Sequence, residues 1–264
     1  MGEEIKTLGD LLHFSPYEIG LYVLGFVGVY YLGKILRAKT KPYKFKNPKR
    51  AGTVGLLAFA VSLLLMYLLL IGLTPDSSPG VTAKTFTLGN ILSQLILFII
   101  IALPIIIALN MTGEPFNTTG LTTVNLTASL AVGLFLSALT VAAVLEFQPP
   151  GPAVRAVIVP AVIYWGIVGF AEEFIYRGYL QTRLIALTGK WPGWVLTALI
   201  FAFMHLGVRY FWEGYTFQEA FYSCVSIIPL ALLLGYAMLR TGNVIAPTLL
   251  HTLVNLAETM REMG

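Results

Sequence analysis

The sequence predicts an all-α fold, a polytopic membrane helical bundle of about eight transmembrane helices. Three observations carry this. Of the 264 residues 57% are hydrophobic and only 11% charged, whereas soluble domains carry roughly 25% charged residues. The mean hydropathy is +0.79. The apolar residues fall into eight runs of about the length a bilayer crossing needs, ~20 residues. We treat residues 1–264 as one integral membrane domain, with four N-terminal spans over 19–147 and a four-span core over 154–260.

The first span, Ile19–Leu36, is rich in glycine and tyrosine and reads as a packing and anchoring helix. A basic segment follows: eight of the 17 Lys and Arg lie between Lys34 and Arg50, with no acid among them. Between two apolar spans such a run faces anionic lipid on the cytoplasmic side; nucleic acid is not an expected partner. The second span is Ala51–Leu73, closed by Pro75, Pro79 and Gly80. The third, Asn90–Asn110, contains Pro104, which is expected to kink it. A polar loop, Met111–Leu126, leads to the fourth, Thr127–Phe147, closed by Pro149-Pro150-Gly151-Pro152.

The fifth span is unusually long, Val154–Leu187, and turns at Gly189, Pro192 and Gly193 into the sixth, Trp194–Val208. An aromatic loop with Tyr210, Phe211, Trp212 and Tyr215 suits the membrane interface. The seventh, Glu219–Arg240, and the eighth, Val244–Met260, are joined by the tight turn Thr241-Gly242-Asn243.

With the 34–50 segment inside and spans alternating, twelve Lys and Arg fall inside and five outside, which places both termini outside. The sequons Asn117-Thr118-Thr119 and Asn125-Leu126-Thr127 then lie inside and are read as chance. The single cysteine, Cys224, excludes an internal disulfide. The polar N-terminus lacks the basic start and cleavage site of a signal peptide. No endoplasmic-reticulum retention signal is present, so a prokaryotic cell membrane is expected.

The fifth span carries an anomaly. Glu172, Glu173 and Arg177 place three charges in six residues of an apolar run. Each costs at least ~2.5–3.5 kcal/mol at membrane depth, which marks a functional site by default. Glu173 and Arg177 stand at i and i+4, acid first, and so face one another. Glu172 lies about 100° around the helix, without an intrahelical cation. Two of the three histidines, His205 and His251, lie in spans six and eight; the third, His13, is in the polar N-terminus. Phe201 and His205 share a helix face, as do His251 and Asn255. Glu172 is 16 residues before Thr188 and His205 is 14 after Trp191. At ~1.5 Å per residue these are ~24 and ~21 Å from the turn, so they come level. His251, nine residues past Gly242, matches at ~13 Å only if the fifth–sixth hairpin projects beyond the seventh–eighth turn. The polar ends near Arg177, Arg183 and Lys190 are then expected to extend past the hydrocarbon.

A desolvated carboxylate is a better base toward water, and Asn and His side chains can donate to a developing oxyanion. The set suits hydrolysis of an amide by activated water. No Ser or Cys stands in a nucleophile motif. The same Glu and His could hold a metal, but the H-E-x-x-H spacing is absent.

The three motifs, Glu172-Glu173-x-x-x-Arg177, Phe201-x-x-x-His205 and His251-x-x-x-Asn255, resemble those of the CAAX prenyl protease family, as does the surrounding Glu-Glu-Phe-Ile-Tyr-Arg-Gly-Tyr-Leu. That group contains the Ras-converting-enzyme type of prenyl endopeptidase and bacteriocin-processing or immunity relatives. The resemblance covers about Pro160–Leu256; the first four spans match only in being hydrophobic. It implies that Glu172 is the general base, assisted by His205, with His251 and Asn255 at the oxyanion and Glu173 and Arg177 supporting. No cofactor and no metal are implied. The implied substrate is a prenylated protein or peptide C-terminus, reached from the cytoplasm and the bilayer. Two further readings use the same residues: a non-catalytic scaffold or immunity protein, and a transporter using the buried acids.

Overall fold

The computed structural model describes residues 16–38, 43–73, 82–145 and 151–263. His13 and the expected helix breakers Pro75, Pro79, Gly80, Pro149 and Pro150 lie outside the described residues. The eight expected helices all form. They are α1 (Pro16–Ile35), α2 (Pro48–Leu73), α3 (Leu88–Thr112), α4 (Leu126–Leu145), a long fifth helix, α7 (Lys190–Phe211), α8 (Phe217–Thr241) and α9 (Ile245–Met263). The fifth is built of α5 (Pro152–Glu173), a π-helical segment (Phe174–Leu180) and α6 (Gln181–Thr188). No strand occurs among the described residues.

Seven of these helices are long and apolar enough to cross a bilayer, counting Pro152–Thr188 as one. The exception is α9. It carries His251, Thr252, Asn255, Glu258, Thr259, Arg261 and Glu262, so its composition falls short of a span although its length suffices. It lies against α4, α5 and α8, which cover its buried face: Ala246, Leu250, His251, Leu256 and Ala257.

Helix ends follow local chemistry. Prolines open α1, α2 and α5, where a missing N–H costs nothing. Thr87 caps α3 by accepting from Asn90 N–H. Thr216 and Glu219 form a reciprocal capping box on α8. α3 continues through Pro104 and ends at Gly113. The turn after α8 is closed by Gly242 at φ +64°, and Asn243 pins it: its Nδ2 donates to Thr122 O at 2.5 Å and its Oδ1 accepts from Ile245 N–H at 2.9 Å.

The outward faces are apolar, as lipid contact requires: Leu57, Leu88, Leu134 and Val159 are all exposed. The interior is organised around the π-helical segment. All seven of its residues are buried, and it touches α2, α5, α6, α7, α8 and the short helical turn Phe116–Thr119 of the α3–α4 connection. That connection folds inward, with Thr118 and Thr119 buried.

Arg183 satisfies it, donating to Thr118 O and Thr118 Oγ1, both at 2.9 Å, while its guanidinium carbon lies 4.2 Å from the Tyr179 ring centroid. Arg177 and Arg183, two of the three cations expected at polar ends past the hydrocarbon, are both enclosed by the bundle. Both side chains are buried in the bundle, at 0% and 1% exposure, because backbone carbonyls and aromatic faces replace water around them.

The inward loop fixes helix register. A Cβ on Gly178 would lie 2.2 Å from Thr119 O and 3.1 Å from Val244 Cγ1. The π segment, the loop and the start of α9 thus meet at one level, and the Gly242 turn sits well short of the Thr188 turn. Gly178→Ala is expected to destabilise by ~1–3 kcal/mol, because backbone must move to admit a methyl group. Gly166, with nothing within 4 Å of its added Cβ, should tolerate alanine and gain ~0.4–1 kcal/mol. Thermal unfolding of the two purified variants separates them; equal melting temperatures would contradict the tight contact.

Candidate active site

The register just described brings His251 to the paired acids. Glu173 lies five residues before Gly178 and His251 seven after Val244. At ~1.5 Å per residue both sit roughly 8–10 Å from the shared level. The depth mismatch left open by turn-to-turn arithmetic is resolved because the Gly242 turn is sunk into the bundle.

Glu173 is fully buried, and its Oε1 accepts two short hydrogen bonds, from Arg177 Nη1 at 2.8 Å and from His251 Nδ1 at 2.8 Å. A carboxylate accepts, so His251 carries a proton on Nδ1 and turns Nε2 the other way. Nε2 lies 3.8 Å from Glu172 Oε2. The expected division between the acids therefore holds geometrically. Glu173 is committed twice over, to Arg177 and to His251. Among the described residues Glu172 makes no hydrogen bond, and its side chain is 32% exposed.

Arg177 is held on three sides. Glu173 takes Nη1; Ala231 O accepts from Nη2 at 3.3 Å; and the Phe201 ring lies 3.9 Å from the guanidinium carbon. One turn on, Gln181 Nε2 repeats the contact by donating to Gly235 O at 3.1 Å. Trp194 Nε1 donates to Leu232 O at 2.9 Å. Three side chains thus bind the α8 backbone. Gln181 and Trp194 reach it because residue 235 is glycine: a Cβ there would lie 2.7 Å from Gln181 Oε1 and from Trp194 Cδ1.

Phe201 also sets the histidines. Its ring meets His205, His251 and Tyr176 edge-on, at centroid distances of 5.1, 5.7 and 5.0 Å. His205 Nδ1 donates to Phe201 O at 3.0 Å, which leaves its Nε2 free to accept. Asn255 lies one turn beyond His251 on α9, half-buried; its backbone carbonyl accepts from Thr259 Oγ1 at 3.0 Å. The structure therefore gathers Glu172, Glu173, Arg177, His251 and, across the Phe201 ring, His205; Asn255 is adjacent on the helix face of His251.

Sequence reasoning missed the Glu173–His251 bond, the seat of Arg177 on Phe201, and the carbonyls of Ala231 and Gly235. Gly235 in an otherwise bulky helix was the one available signal for the last. Among the described residues, no three His, Cys, Asp or Glu side chains are placed to hold a metal.

The fold and site define a polytopic helical membrane protein with a buried Glu/His/Arg cluster beside a free carboxylate. Residues 154–257, which hold every side chain of the cluster, match the family described as type II CAAX prenyl endopeptidase Rce1-like. The resemblance carried by the three motifs is thus borne out over that segment, and the family points to a membrane protease of CAAX type. No curated protein and no solved structure matches the chain.

Two substitutions distinguish the acids. Glu173→Ala leaves Arg177 buried and unpaired and is expected to cost ~3–5 kcal/mol of stability. Glu172→Ala, at a partly exposed and unbonded side chain, should change it by about 0.5 kcal/mol or less. Unfolding measurements on both variants test this; equal losses would refute the division.

Proposed function

We propose that the chain is an intramembrane endopeptidase that hydrolyses a peptide bond near the C-terminus of prenylated CAAX-type proteins, with Glu172 as the base. The observation that carries this reading is the inequality of the two carboxylates: Glu173 is spent on Arg177 and His251, and Glu172 is free beside His251 Nε2.

A water between Glu172 and His205 would give a proton to Glu172 as its oxygen adds to the scissile carbonyl, with His205 Nε2 accepting its other hydrogen. His251, flanked by Glu173 and Glu172, is suited to carry a second proton on Nε2. It would then donate to the oxyanion together with the Asn255 carboxamide; each such donor is worth ~2.7–4 kcal/mol. Glu172 would return its proton to the leaving amine as the C–N bond breaks. No metal is needed for these steps.

The exposed apolar helix faces suit a substrate whose prenyl chain stays in the bilayer while its peptide enters the site. Orientation follows the basic residues. With Arg177 and Arg183 buried, ten Lys and Arg remain on the side of the 34–50 segment against five opposite, so we place that segment in the cytoplasm and both termini outside.

The test is cleavage of a farnesylated C-terminal peptide by purified protein in liposomes. Glu172→Gln and His205→Ala should each lower the rate by ~10²–10⁴-fold with unchanged melting temperature. Asn255→Ala should lower it by ~10²–10³-fold. A chelator should have no effect. Wild-type rates in Glu172→Gln would sink the mechanism. Loss to a chelator with recovery on adding zinc would refute the metal-free form, and no cleavage of any prenylated peptide would favour a non-catalytic scaffold.

A further inference from the structure

A second concavity lies at the end of the bundle that carries the 34–50 basic segment. It holds about 600 Å³, within the usual range of small-molecule sites, and is lined mainly by apolar surface. Its walls include Thr182, Ile185 and Ala186 of α6 and Met238 and Leu239 of α8, and the inward α3–α4 loop closes one side. It shares no residue with the Glu172 cluster. Thr182 is ten residues beyond Glu172, ~15 Å along the helix, and the buried Arg177 and Gln181 lie between.

Two features describe what would fill it. The long apolar walls call for hydrocarbon. Lys190 lines it and no acid does; among the described residues no carboxylate pairs with Lys190. Tyr43, also on the wall, donates to Gly242 O at 2.7 Å, and burial pushes its hydroxyl up to about 12, so it stays neutral and adds no negative charge.

We propose that this cavity is a binding site, distinct from the Glu172 cluster, for a single-chain amphiphile with an anionic head. The chain lies along α6 and α8, and the head meets Lys190. The proposal is independent of the protease reading. A lysophospholipid and a fatty acid share the required chemistry.

The experiment is native mass spectrometry of the purified full chain, delipidated in neutral detergent. The probes are oleoyl lysophosphatidylglycerol, oleate, oleoyl lysophosphatidylcholine and inorganic phosphate. One equivalent of an anionic amphiphile should bind. Lys190→Gln, at an exposed position, should weaken anionic binding by about fivefold, the worth of one interfacial lysine, and leave lysophosphatidylcholine unchanged. Ala186→Phe, or Ile185→Phe if the first variant melts early, should abolish the bound equivalent. Equal affinity for the zwitterionic probe, binding of phosphate alone, or unchanged binding in a folded cavity-filled variant would each overturn the proposal.

Discussion

A guanidinium with no exposure, in helices that otherwise face lipid, needs a partner for its charge and acceptors for its N–H groups. Arg177 finds the carboxylate of Glu173 at 2.8 Å, a carbonyl of α8 at 3.3 Å and the face of Phe201 at 3.9 Å. The rest of the core is consistent with this demand. The helix widens into a π segment immediately after Glu173, a deviation that recurs at functional sites. Gly235 lets Gln181 and Trp194 reach the same stretch of α8. The α3–α4 loop folds in to satisfy Arg183 and in doing so lowers the start of α9 to meet Gly178. Ion pairs of this kind are often no more stabilising than apolar replacements, but removing one partner is costly.

The same arrangement divides two neighbouring carboxylates. Glu173 holds Arg177 with one lone pair and orients His251 with another, fixing which imidazole nitrogen faces the second acid. Glu172, one residue earlier and about 100° around the helix, is left partly exposed and unbonded. A carboxylate that is free, beside an imidazole whose orientation is set by a buried anion, has the elements for moving a proton to and from water. The acid bound to Arg177 and the acid proposed as the base thus differ by position on the helix rather than by type.

Much of this was legible in the sequence, for identifiable reasons. Long apolar runs state their helices directly, and the i, i+4 spacing of Glu173 and Arg177 states their pairing. The ordered motifs located the Rce1-like segment. What could not be read was depth and burial. His251 seemed too shallow because turn-to-turn counting ignores a loop that carries the Gly242 turn inward. The burial of Arg183 could not be read because the group that takes its N–H bonds, Thr118, is 65 residues away in sequence. Among the eight helices, α9 is too polar to qualify as a span by composition. That polarity is itself informative, since it arises from the residues facing the site and the helix end.

The central claim is that Glu173, and not Glu172, is energetically coupled to Arg177. A double-mutant cycle in a lipid bilayer tests it directly, combining Glu173→Gln with Arg177→Met and, in parallel, Glu172→Gln with Arg177→Met, each read as unfolding free energy. A coupling of at least about 1.5 kcal/mol is expected for the first pair, with about 0.5 kcal/mol or less for the second. Coupling near zero for Glu173, or equal coupling for both acids, would contradict the account.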